Sequence, residues 1–75
     1  MKYYVIYKYP NDYPDYYVVR MFTMQGDGSV LPSHEFSDGF HLAETLVQAR
    51  EYIPSGLVCV PADKKDDPVI VETWL

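Results

Sequence analysis

The sequence predicts an α+β domain: a small antiparallel or mixed β-sheet in the order β-β-β-α-β-β, with one short helix packed on one face. Three observations lead there. Runs of β-branched and aromatic residues recur between proline and glycine turns, a helix-capping signature occurs once, and the 75 residues leave room for a single domain, 1–75. A chain this short buries only about 60% of its unfolded surface, so its core is small.

The first strand is Lys2-Tyr3-Tyr4-Val5-Ile6-Tyr7-Lys8-Tyr9, dense in strand-favouring side chains and stopped by Pro10. Residues 10–15, Pro-Asn-Asp-Tyr-Pro-Asp, are turn chemistry, because proline presets φ and Asn or Asp bonds its own backbone. Residues 16–24 form the second strand and close a hairpin. Gly26-Asp27-Gly28 makes another tight turn into a short third strand, Ser29-Val30-Leu31, ended by Pro32.

The middle of the chain permits two readings. In one, Asp38 caps a long helix through Ile53, with Leu42, Leu46, Ala49 and Ile53 on one face. In the other, residues 40–43 are extended and Thr45 caps a short helix over 45–53. Thr45-Leu46-Val47-Gln48 fits a capping box, which favours the short helix. Pro54 stops the helix in either case, and Ser55-Gly56 carries the chain out. Residues 57–60 form a fourth strand, 62–68 a charged loop, and 69–75 the last strand.

The Tyr-rich first strand, the helix opening at Thr45 to Arg50, the stop at Ile53-Pro54-Ser55-Gly56-Leu57 and the close at Asp66-Asp67-Pro68-Val69-Ile70-Val71-Glu72-Thr73-Trp74 run over most of the chain. In these features the sequence resembles a group of short, uncharacterised bacterial and phage-borne α+β proteins. The resemblance implies a small cytoplasmic protein, and it carries over no functional residues.

A net charge of −5 argues against phosphate neutralisation, so no nucleic-acid or membrane partner is expected. Met1 to Arg20 has no continuous apolar stretch of the signal-peptide kind, which fits a cytoplasmic location. The single Cys59 cannot form an intrachain disulfide, and within Leu57-Val58-Cys59-Val60 it reads as a small buried hydrophobe.

No cofactor, metal or enzymatic chemistry is expected. His34, Glu35, Asp38 and His41 have metal-ligand character, but not the spacing that puts two His on one helical face. Asp66-Asp67 is adjacent in a loop, so the two carboxylates need not face each other. Gly26-x-Gly28 lacks the further glycine of a phosphate-binding loop.

Strand alternation gives the positive expectation. Tyr3, Val5, Tyr7 and Tyr9 make the better core face of the first strand, leaving Lys2, Tyr4, Ile6 and Lys8 on the other. One helix covers one face only, so an aromatic surface carrying Tyr4, Ile6, Val18, Arg20, Phe22 and Trp74 is expected to bind a protein partner or form a homodimer. The alternative is an acidic decoy for a basic nucleic-acid-binding site on a host protein, motivated by Asp63, Asp66, Asp67 and Glu72.

Overall fold

A computed structural model describes residues 1–33, 39–62 and 68–75. It contains β1 (Lys2–Lys8), β2 (Tyr17–Met24), β3 (Val30–Pro32), β4 (Phe40–Ala43), α1 (Leu46–Glu51), β5 (Cys59–Pro61) and β6 (Ile70–Trp74). Among the described residues six strands form one sheet, five in the order β3-β2-β1-β6-β5 and β4 paired with β2, with every pairing antiparallel. The α+β class follows the expectation and the element order roughly does: residues 40–43 are extended as the short-helix reading has them, and they join the sheet as a strand, β4, that the order β-β-β-α-β-β omits.

That strand exists because β2 is longer than the partner on its outer side. Tyr17 to Arg20 pair with β4, and Phe22 to Met24 pair with β3. The two partners meet at Met21, whose N–H donates to the Gly39 carbonyl at 2.8 Å and whose carbonyl accepts from Ser33 N–H at 2.8 Å. The Ser33 hydroxyl bridges them, accepting from Met21 N–H at 3.2 Å and donating to the Gly39 carbonyl at 3.2 Å. Gly39 has φ +83°, and a Cβ there would lie 2.5 Å from Met21 Cβ, so no other residue fits without displacement.

The helix starts where the capping signature places it. Thr45 Oγ1 accepts from Gln48 N–H at 3.2 Å, while Gln48 Oε1 accepts from Glu44 N–H at 3.0 Å, one residue before the usual reciprocal donor. Six residues are too few for a helix to persist alone. Tertiary contact holds it: Ala49 has no exposed surface and clusters with Ile6, Val19 and Ala43, flanked by Tyr4, Tyr17, Leu46, Ile53, Val71 and Trp74.

The core occupies both faces of the sheet: Val5, Val18 and Phe40 are buried on the expected side, and this cluster adds a core on the other, which sequence alternation did not point to. Ile6 pairs with Val19 and Val19 with His41, so Tyr4, Ile6, Val19, Met21, His41, Ala43 and Trp74 project to one side, the Ile6 face. Tyr3, Val5, Tyr7, Val18, Arg20 and Phe22 project to the other, the Val5 face. Lys2 and Lys8 made the Ile6 face look polar, yet both are exposed at the ends of β1, beyond the cluster. Burying Ile6 and Val19 completely contributes about 1.5–3 kcal/mol each.

A β-bulge between Ile6 and Tyr7 shifts the β1–β6 register, since Ile6 faces Glu72 but Tyr7 faces Ile70. The extra residue, Val71, packs against the Ile6 cluster. Both outer strands carry a proline, Pro32 on β3 and Pro61 on β5, each at a pairing position whose backbone groups point away from the sheet. A missing N–H there hinders addition of a further strand.

Candidate binding surface and cleft

The Val5 face changes character along the strands. At one end β1 and β2 bring Tyr3 and Phe22 into direct register, and their rings stack with centroids 5.2 Å apart and planes 10° from parallel. The β1–β6 register, continued one residue past Tyr4 and Trp74, sets Leu75 beside Tyr3. Leu75 and Val58 exchange backbone hydrogen bonds of 3.0 and 2.9 Å, which extends the same row onto the segment leading into β5. Phe22, Tyr3, Leu75 and Val58 thus cross the sheet in one apolar row, and Met24 and Val30 pair beside it on the same face. Val58 is 67% exposed and Leu75 47%, against a core that is nearly sealed.

At the other end lies a cleft of about 290 Å³, lined by Tyr7, Pro10, Asn11, Asp12, Val18, Arg20 and Val69. The Lys8 N–H bond to the Val69 carbonyl, 2.7 Å, brings the β6 entry against the hairpin turn. Arg20 reaches across from β2, with its guanidinium 5.2 Å from the Phe40 ring centre and 4.0 Å from an Asp12 carboxylate oxygen. Arg20 Nε is buried and has no hydrogen-bond acceptor among the described residues.

The six expected surface residues therefore do not share one surface. Tyr4, Ile6 and Trp74 lie on the Ile6 face, and Val18, Arg20 and Phe22 on the Val5 face. Ile6 has no exposed surface and presents nothing to a partner, and Val18 is almost fully buried, reaching only the cleft wall. Phe22 falls in the apolar row, Arg20 in the cleft. The row's other members, Tyr3, Leu75 and Val58, were missed because their alignment depends on three strand registers; alternation within each strand was the only available signal.

On the Ile6 face, Glu72 is buried at the centre of a polar cluster. Arg50 donates to it twice, Nε to Oε1 at 3.0 Å and Nη2 to Oε2 at 2.6 Å. Trp74 Nε1 donates to Oε1 at 3.3 Å, and Cys59 Sγ lies 3.5 Å from Oε2. The Arg50 hydrogen bonds hold the Glu72 carboxyl below its ordinary pKa, outweighing burial, which acts the other way; Trp74 assists. Burial, then the bond to Glu72, pushes the Cys59 thiol up, so at neutral pH it is a protonated, structural thiol.

His41 stacks on Tyr52, with centroids 4.1 Å apart and planes 7° from parallel. Its sequence neighbours in the candidate metal set, His34, Glu35 and Asp38, lie outside the described residues, as do Asp63, Asp66 and Asp67. Among the described residues, no helix is long and apolar enough to cross a membrane. No family model, curated protein or solved structure matches the chain, so every residue role rests on the geometry given above.

Proposed function

We propose that this is a small accessory protein that acts by protein–protein binding, and that its occupant is a second copy of itself, docked through the Val5 face. The reading takes α1 as packed on the Ile6 face, which leaves the opposite face without a helix. The observation that supports it is the apolar row Phe22, Tyr3, Leu75 and Val58 across the sheet, half-buried at Phe22 and Tyr3 and exposed at Leu75 and Val58. Tyrosine and phenylalanine with a neighbouring methionine are side chains enriched in interface cores.

Pro32 and Pro61 disfavour edge-to-edge pairing, which leaves face-to-face packing of two sheets at about 10 Å as the favourable mode. Packing face to face suits a two-fold arrangement, in which each copy offers the same patch. A stable interface needs about 800 Å² per partner, a modest part of the 5128 Å² that the chain exposes. Light scattering over a range of concentrations tests it. Wild-type protein should show concentration-dependent doubling of mass and Val58→Asp should remain monomeric; a monomer at every concentration overturns the reading.

The decoy reading loses one of its four carboxylates, because Glu72 is buried and engaged by Arg50.

A further inference from the structure

The cleft at the other end of the Val5 face has features that the association surface does not use. Its lining combines apolar side chains, Pro10, Val18 and Val69, with one cation and one anion, Arg20 and Asp12. Those charges are 4.0 Å apart, too far for a hydrogen bond, so the pair is held by Coulomb attraction alone. A guanidinium has five donors in a planar fork that matches a carboxylate. Here it lies over an aromatic ring, and its buried Nε has no hydrogen-bond acceptor among the described residues.

The turn that supplies the opposite wall is strained. Tyr9 has φ +50°, the single non-glycine residue with positive φ among the described residues, and it directly precedes Pro10. A bulky residue in that conformation is costly and persists where the surroundings over-determine it, as at ligand sites. The strain is not relieved by slack chain, for Tyr9 N–H bonds the Tyr16 carbonyl at 3.0 Å and Tyr13 N–H bonds the Pro10 carbonyl at 2.9 Å. Pro10, Asn11 and Asp12 are thereby fixed facing Arg20.

We propose that this cleft binds a small zwitterion, an α-amino acid with an apolar side chain. Its carboxylate pairs with the Arg20 guanidinium, its ammonium with Asp12, and its side chain meets Pro10, Val18 and Val69. Charge decides the class. A lone carboxylate would meet Asp12 and a lone amine would meet Arg20, whereas a zwitterion satisfies both in a cleft whose formal charges cancel. Size agrees, since about 290 Å³ is at the small end of ligand sites.

The test is a titration followed by NMR at the Arg20 Nε–H and Asn11 side-chain amide signals, with leucine, valine and phenylalanine as probes. Isocaproate and isopentylamine supply the carboxylate and the ammonium of leucine separately. At least one amino acid should shift both signals, and each single-charge probe should bind about tenfold more weakly or worse. Asp12→Asn, in an exposed turn, should weaken leucine binding by about tenfold and leave isocaproate no weaker. Arg20→Gln should abolish binding. Val58→Asp, at the far end of the face, should bind as the wild type does, which separates this site from the association surface. Absence of any shift with all three amino acids, or isocaproate binding as tightly as leucine, overturns the proposal.

Discussion

Arg50 grips Glu72 with both arms of its guanidinium, at 3.0 and 2.6 Å, and so ties the six-residue helix to the last strand. The Glu72 side chain is 9% exposed while the Arg50 side chain is 47% exposed, so the anion is inside and the cation closes over it. A buried carboxylate left without its partner would be costly, and this pairing is what makes Glu72 tolerable next to Ile6.

The pair gives the fold an acid-sensitive component. Glu72 has a lower pKa folded than unfolded, so its contribution is present above the ordinary value of 4.5 and is lost as pH falls through the depressed folded value. Thermal denaturation from neutral pH into the acid range should show the wild-type midpoint falling below that value. Glu72→Gln should have a lower midpoint at neutral pH and a flatter acid limb.

The Cys59 thiol has the opposite sign. Its folded pKa lies above the ordinary 9.0, so its contribution to stability is complete at neutral pH and declines as alkaline pH ionises the unfolded thiol. Iodoacetamide at neutral pH should alkylate native Cys59 more slowly than the urea-unfolded chain. Cys59→Ala should remove part of the alkaline loss of stability.

Of the four glycines, Gly39 alone has a close neighbour where a Cβ would be. Gly39→Ala places a methyl group against Met21 Cβ and forces a strained backbone, and should cost about 1–3 kcal/mol in urea denaturation. Gly26→Ala is the control, because nothing lies within 4 Å of a Cβ there and its φ is not positive; it should change stability by less than about 0.5 kcal/mol.

The two faces of β1 should respond differently. Ile6→Ala removes a fully buried side chain from the cluster that includes Ala49 and should cost about 2–5 kcal/mol. Tyr3→Ser, at a half-buried position on the other face, should cost less in the monomer yet abolish mass doubling in light scattering.

Local chemistry was legible in the sequence, and long-range registration was not. The Thr45-to-Gln48 spacing located the helix start, and proline and glycine marked the turns, because each acts within a few residues. The buried Val5 side was legible from alternation, whereas the Ile6 side was not, because Lys2 and Lys8 weigh heavily in a count of polar residues, although strand ends let both reach solvent. Gly39 spoke against a helix, but its contact with Met21 arises from residues 18 positions apart. The cleft depends on the meeting of Asp12, Arg20 and Val69, which no local pattern encodes.

Isotope-filtered NMR on a mixture of labelled and unlabelled chains tests the association surface most directly. Intermolecular contacts are expected between the Val58 and Leu75 methyl groups of one copy and the Tyr3 and Phe22 rings of the other. Intermolecular contacts confined to α1 and the Ile6 face, or none at concentrations where the mass is doubled, would contradict it.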